Sequence, residues 1–502
     1  MNIPRWVRMS DTVTRSSQAS FSSSSRLISS RASARQVPAE WLRRILQDRA
    51  DPPTLYAWTP ANLPGHADVD PSRSEKPPTA SEIRQRQRGD DDDERRRIYI
   101  LGLGNLGRLY ASFLAKNADR PPVTLVVHRR ELLEHWTAQP GIELVRAGKT
   151  ERSADFDVEW WTETKPDAGP VREPAAGAAI RNLVVATKAA DALPQVDRLR
   201  RYLDGDSAVA FTQNGMCKLW PPLGDAYVAA RFGEGEGEGA KVPDWLACVT
   251  THGVTSLGPF RSVHASPAGV LVGAVGGRRS GGGGGGGGGG SRPSDYLAAQ
   301  IVGAPGLEAK RVDTRGLWVA QLEKLVVNAV INPLTAVLRC KNGELFAEGG
   351  GGDGVPDVID LLVEEASRTL RALVAHPSSD SILQSPRPDG ESDTQEGEAG
   401  ESEALERVRD ELLERFSFAR LKEMLYGVAA KVGENTSSML QDVRAGKPTE
   451  IGDFNGWLVE TARYVGDEEC RVPSHEKLVK LVEGGKQLTR DELSRHFLGG
   501  KW

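Results

Sequence analysis

Residues 96–116, RRIYILGLGNLGRLYASFLAK, constrain the fold more than any other part of this chain. A short apolar strand, Ile98 to Leu101, runs into Gly102, Gly104 and Gly107, which open an amphipathic helix through Lys116. Each glycine has a job in a GxGxxG turn: Gly102 permits the tight turn, Gly104 lets the backbone approach a pyrophosphate, and Gly107 lets helix and strand pack closely. With Leu103, Asn105 and Leu106 between them, the loop presents the free N–H groups of a helix N-terminus to an anion. A second strand, Val123 to Val127, follows at the distance a dinucleotide-binding unit requires. Where an NAD site would place Asp or Glu for the ribose 2′-hydroxyl, this chain has His128, Arg129 and Arg130. The expected cofactor is therefore NADP(H), with Arg129 facing the 2′-phosphate. The alternative is a solvated basic turn.

Strand and helix continue to alternate. Arg181 to Thr187 reads as a buried strand ending at Lys188, and Ala208 to Thr212 as another ending at Gln213, Asn214 and Gly215. Ligands of open parallel sheets bind beyond the carboxyl ends of the strands, which makes Lys188 and Asn214 candidates. Read without function, Lys188 is a loop cation and Asn214 a turn residue. His252 and His264 flank a hairpin and read as structural. Gly281 to Gly290 is a loop insertion without core-forming capacity. Asp295 to Val302 is helical, and Leu307 to Val312 supplies the last strand. The fold class is thus an α/β Rossmann-type domain over residues 96–316.

From Leu317 the pattern is almost wholly helical, giving an all-α C-terminal domain over 317–492. Helices are expected over Leu317–Leu338, Val355–Ala375, Leu405–Met424, Val428–Arg444, Glu450–Val465 and Glu476–Glu483. Residues 375–404, acidic and poor in apolar side chains, read as a disordered insertion. In the first helix Lys324, Asn328 and Asn332 recur every fourth residue among Leu325, Val326, Val330 and Ile331, so they form one polar stripe. A polar group buried without a partner costs about 1 to 3 kcal/mol, so the stripe faces water, a protein network or a polar ligand. Farther on, helical spacing puts Asn435, Ser438 and Gln441 along one edge. Thr449 reads as an N-cap, with Glu450 in the following first turn.

Composition bounds the function. The 502 residues carry a net charge of -5, which argues against a mainly electrostatic nucleic-acid binder. The four cysteines lie far apart, giving neither a disulfide framework nor a metal site. No apolar run reaches the roughly 18 residues of a membrane span. Residues 1–50 open with eight Arg, no Lys and a Ser-rich middle by Leu46, the composition of a mitochondrial transit peptide or of a disordered tail in a cytoplasmic protein. Residues 51–95, rich in Pro, Asp and Arg, read as a disordered linker.

These segments together resemble the ketopantoate reductase (2-dehydropantoate 2-reductase) family. The matching pieces are GLGNLG, TKA at 187–189, TQNGM at 212–216, THGV with GPF at 251–260, EKLVVNAVINPLTAVLRCKNGELF at 323–346, and NTSSMLQDVRAGKPTEIGDFNG at 435–456. The likeness covers roughly 96–483 apart from the two insertions. It implies NADPH-dependent reduction of 2-dehydropantoate to pantoate, a step of pantothenate synthesis, or of another branched 2-oxo acid on the same scaffold. A non-catalytic NADP-binding descendant is the reading from another class. By the resemblance Lys324 is the general acid, and Glu450 takes part in binding and catalysis. Asn328, Asn332, Asn342 and Ser438 contact substrate, while Lys188 and Asn214 lie near nicotinamide and substrate. A small 2-oxo acid is the expected partner, with homodimerisation left open. The chain departs from the family pattern at Cys217, Lys447, Gly452 and His475, where Gly, Arg, Asp and Asn are usual.

Overall fold

The computed structural model describes residues 40–64, 92–233, 242–276, 292–347, 354–384, 398–466 and 470–499. Thirteen strands are β1 (Tyr56–Trp58), β2 (Ile98–Leu101), β3 (Val123–Val127), β4 (Ile142–Arg146), β5 (Lys149–Ser153), β6 (Asp157–Thr162), β7 (Asn182–Val185), β8 (Ala208–Phe211), β9 (Asp244–Thr250), β10 (Gly253–Gly258), β11 (Arg261–Ser266), β12 (Val270–Ala274) and β13 (Ala309–Arg311). Nine form one sheet in the order β1-β6-β3-β2-β7-β8-β9-β12-β13. From β6 to β9 every pairing is parallel. The strands β2, β3, β7 and β8 are wholly buried, as parallel strands covered on both faces must be. Chain order reverses between β2 and β7, so the glycine loop after β2 sits at the topological switch point.

One apolar core lies on the face of the sheet carrying helices Asn105–Leu114, Arg130–Ala138 and Pro293–Gly303. The other face shares its core with the C-terminal helices, so the two halves are joined by continuous packing. Between them runs the helix Thr314–Leu338, which starts where Asp313 accepts from the Gly316 N–H at 2.6 Å and ends at Arg339, φ +57°. Pro333 lies inside it. A proline has no N–H for the carbonyl four residues back, here Ala329. Asn455 Nδ2 donates to that carbonyl at 2.9 Å, so a neighbouring helix supplies the missing bond.

Several boundaries differ from the sequence reading. Residues before 96 are not all leader and linker: helix Glu40–Gln47 buries Leu42, and β1 adds an antiparallel edge strand beside β6. Leu55 is fully buried and its N–H donates to Tyr202 Oη at 2.9 Å. Burying two leucines stabilises by about 1.5 to 3 kcal/mol each, enough to hold a polar segment against the sheet. Residues 1–39 and 65–91, where the leader and most of the linker fall, lie outside the described residues, as do 281–290. The acidic insertion is shorter than expected, since Ile382 and Leu383 are buried and a helix resumes at Glu398. The helix expected over Val428–Arg444 is broken into Phe418–Val432 and Ser438–Arg444. The break comes at Ser437, whose side chain caps the second piece by accepting from the Leu440 N–H. Asn435 and Gln441 therefore share no helical edge. Among the described residues, no helix is long and apolar enough to cross a membrane.

Candidate active site

The glycine loop is built as its spacing predicts. Gly102 has φ +97°, and a Cβ there would lie 2.9 Å from the backbone of Ala186 and Thr187. At Gly107 a Cβ would come within 2.0 Å of the Gly102 carbonyl oxygen, so only glycine lets the helix start that close to the strand. Gly104 is exposed at the N-cap, leaving the first N–H groups of the helix open, and Leu103 and Leu106 pack on the core below. Such a cradle, which side chains would fill, fits a dinucleotide pyrophosphate. The side chain of Asn105 donates to the Val254 carbonyl at 3.0 Å and accepts from Arg108 at 2.9 Å. Only its backbone remains for a cofactor. Arg129 lies two residues beyond β3 at the N-cap of the helix Arg130–Ala138, more than half exposed and 3.9 Å from Glu131. It is thus available beside the glycine loop for a 2′-phosphate.

At the same edge of the sheet, the ends of β8 and β9 meet the polar stripe. Lys324 Nζ donates to Asn214 Oδ1 at 2.8 Å and to the Thr250 carbonyl. Burial pushes its ammonium down to about 8, against the opposing pull of Glu450. Glu450 is 8% exposed, and burial raises its pKa. Lys188 and the amide of Asn214 work against that rise, whereas Asp453 and Asp442 add to it. Among the described residues no ion pair joins Lys324 to Glu450, and Asn214 contacts both. Lys188 is exposed at the mouth and pairs with Asp442 at 2.9 Å. Partial desolvation lowers its pKa, but Glu450, Asp442 and Asp453 outweigh this and the net shift is upward.

Asn328 and Asn332 follow Lys324 along the helix, and neither side-chain amide makes a hydrogen bond among the described residues. Asn332 is only 8% exposed, and its amide is left with donors and an acceptor for a ligand. Ser438 is exposed with an equally open hydroxyl. Its neighbour Ser437 bonds Thr335 Oγ1 at 2.7 Å and so fixes this turn to the long helix. Glu450 is the N-cap of helix Ile451–Val465 rather than a first-turn residue, which moves the expected start one residue on from Thr449.

Asn342 lies beyond the end of the helix Thr314–Leu338, where its N–H donates to the Asn435 carbonyl at 3.1 Å, three residues before Ser438. Asn342 is buried there and donates to the Val432 carbonyl at 3.2 Å, holding the turn before Ser437. Three contributors escaped the sequence reading. The Thr250 carbonyl is backbone and leaves no residue signature. Gln321 accepts from Trp220 Nε1 at 2.5 Å and donates to the Gly215 carbonyl at 3.3 Å, fixing the loop that carries Asn214. Its place one turn before Lys324 was the available signal. Asp442 was the third.

Comparison with known proteins agrees with this geometry. Family models described as ketopantoate reductase PanE/ApbA and its C-terminal part match residues 98–277 and 317–487. A ketoisovalerate reductase of Gibberella fujikuroi is 41% identical over 481 residues, covering 93% of this chain and 100% of the relative. A ketoisovalerate reductase of Beauveria bassiana is 40% identical, covering 91% and 98%. A probable 2-dehydropantoate 2-reductase of Schizosaccharomyces pombe is 25% identical, covering 74% and 91%. The crystal structure of a PanE/ApbA family ketopantoate reductase from Ralstonia eutropha shares the fold, with TM-score 0.50, 19% identity and coverage of 78% and 98%. With a dinucleotide cradle on one side of the cleft and a lysine-bearing polar stripe on the other, this chain is an oxidoreductase of the ketopantoate reductase family.

Proposed function

We propose that this protein reduces a branched 2-oxo acid to the 2-hydroxy acid with NADPH, and that 2-oxoisovalerate is its preferred substrate. The observation that carries the reaction class is Lys324, bonded to Asn214 and Thr250 and electrostatically coupled to Glu450, where the sheet edge meets the stripe. The preference for 2-oxoisovalerate is supported by the ketoisovalerate reductases that match nearly the whole chain at 40% and 41% identity. The second reading is 2-dehydropantoate, supported by the family models and by the more distant 2-dehydropantoate 2-reductases. The two substrates differ by a hydroxymethyl group. A site that bonds this hydroxyl discriminates far more strongly than an apolar pocket, which resolves a methylene by only about 1 to 3 kcal/mol.

Gly102, Gly104 and Gly107 with the adjoining helix N-terminus would hold the pyrophosphate, and Arg129 the 2′-phosphate. The bound cofactor supplies the hydride that reaches C2 of the substrate. As charge builds on the ketone oxygen, the Lys324 ammonium stabilises it and transfers a proton, leaving a neutral amine that solvent reprotonates. Asn214 orients that ammonium. Asn328, Asn332 and Ser438 offer amide and hydroxyl donors to the substrate carboxylate without adding another full charge. Glu450 opposes the loss of the Lys324 proton between turnovers.

NADPH oxidation by the full chain with each substrate tests this directly. We expect kcat/KM for 2-oxoisovalerate to exceed that for 2-dehydropantoate by about tenfold or more. The reverse order would transfer the assignment to 2-dehydropantoate, and NADPH binding without turnover on either would refute the reductase reading. We also propose a mitochondrial location from the Arg-rich leader, with cleavage upstream of Glu40, because Leu42 belongs to the core. An import assay giving a mature N-terminus beyond Gln47 would contradict that cleavage site.

A further inference from the structure

We propose that His252 and His264 are positioning residues for the proton donor: the imidazole pair fixes the Thr250 carbonyl, and that carbonyl fixes Lys324. The inference rests on the reductase reading above. Strand β9 is buried throughout and delivers Thr250 to the end of the sheet, two residues before His252. Strand β11 then brings His264 back beside it, opposite Val254 at a register irregularity between Gly253 and Val254.

The hydrogen bonds fix the protonation of both rings. His252 Nε2 lies 3.0 Å from the Leu307 carbonyl, which can only accept, so this nitrogen carries the proton. His252 Nδ1 must then accept, and it receives the Ala268 N–H at 2.9 Å and His264 Nε2 at 3.0 Å. His264 is therefore also protonated at Nε2, and its Nδ1 is buried without a partner. A proton added at His252 Nδ1 would face two donors. Arg146 faces both rings, Lys324 and Glu308 face His252, and the edge of Phe113 meets His264. Burial lowers both imidazoles, His264 to about 4, so the pair stays neutral at neutral pH.

Neighbouring bonds make the elbow stiff. Thr251 donates to the Gly269 carbonyl through its N–H at 3.0 Å and its hydroxyl at 2.9 Å, and Tyr110 Oη lies 2.9 Å from Thr250 Oγ1. These bonds hold the strand side of the elbow and the His252 bonds to Leu307, Ala268 and His264 hold its far side, so the Thr250 carbonyl between them is a fixed acceptor for Lys324, and an acceptor favours the charged form of the lysine. Removing one link, the His264 donor, loosens the elbow without touching the cleft.

His264→Phe keeps the ring volume and removes the donor, whereas His264→Gln places an amide N–H where Nε2 was. The measurement is the single-turnover rate of NADPH oxidation against pH with saturating 2-oxoisovalerate, together with the KM for NADPH. For His264→Phe we expect the alkaline limb to move down by about one pH unit, the scale of weakening a hydrogen bond to an ammonium. The rate at pH 7 should fall by about tenfold with KM for NADPH unchanged. His264→Gln should recover both. An alkaline limb that stays in place in His264→Phe overturns the proposal. Imidazole 15N shifts give a readout independent of turnover: both rings should be neutral and Nε2-protonated at pH 7, and a charged ring there overturns it as well. Wild-type turnover without any alkaline limb would instead remove Lys324 as the acid, and the role of the pair with it.

Discussion

Two buried polar clusters touch the helix Thr314–Leu338, and they are built in opposite ways. Around Asn455 the donors are all used, while one acceptor, Asn455 Oδ1, is buried without a partner. Its amide caps the Ala329 carbonyl freed by Pro333 and meets His475 Nδ1 at 2.8 Å, while His475 Nε2 lies 3.0 Å from the Leu362 carbonyl. Glu365 accepts from the Ser474 and His475 N–H groups at the start of helix Pro473–Glu483. Around Lys324, by contrast, the ammonium reaches across to the sheet while the amides of Asn328 and Asn332 stay unpaired by protein. A network sealed from solvent stabilises one packing, whereas one that solvent reaches on the same helix can take up a polar ligand. Incomplete pairing alone does not separate structure from function here, since Asn455 Oδ1 is unpaired too; solvent access at Lys324 and Asn328 does.

That contrast breaks or sharpens under substitution. Lys324→Ala should lower kcat by at least about a hundredfold, the scale of general acid catalysis, with the thermal midpoint little changed. Steady-state kinetics beside calorimetry checks this, and near-normal turnover would place Lys324 in the structural class. Glu450→Gln should cost about tenfold in kcat. Because the Glu450 charge raises Lys324, its loss should also carry the alkaline limb to lower pH. Asn455→Leu should leave kcat within about twofold yet lower stability by about 1 to 3 kcal/mol, since the Ala329 carbonyl loses its donor. Denaturant unfolding reads that loss.

The smallest effect concerns pH. Burial depresses His475 to about 4 from its ordinary 6.5, so the folded state binds its proton less readily than the unfolded chain. Its contribution is complete above about 6.5 and declines as pH falls toward 4. His475→Gln should flatten that part of the stability profile, and an unchanged slope would show that the ring is not held neutral.

How much of this was legible in the sequence depended on whether the signal was local. Gly102 and Gly107 announce themselves because a turn and a close approach exclude every other residue. The Lys324 stripe is likewise local, a period on one helix. Residues 40–64 were misread because Leu42, Leu55 and Trp58 are sparse among polar residues, and β1 pairs with a strand about a hundred positions later. Asn342 shows what a motif leaves open: NGELF resembles the family, and the structure adds that this asparagine is buried and bonded to the segment leading to Ser438. Asn105 was identified by its place in the loop, whereas its side chain is committed to the β10–β11 hairpin.

The most direct test of Lys324 as proton donor is the pH dependence of single-turnover NADPH oxidation by the wild-type protein with 2-oxoisovalerate. An ammonium lowered to about 8 predicts a rate that is level near neutrality and falls as pH rises through about 8. A rate that stays level to pH 10, close to the ordinary lysine value of about 10.4, would contradict the account.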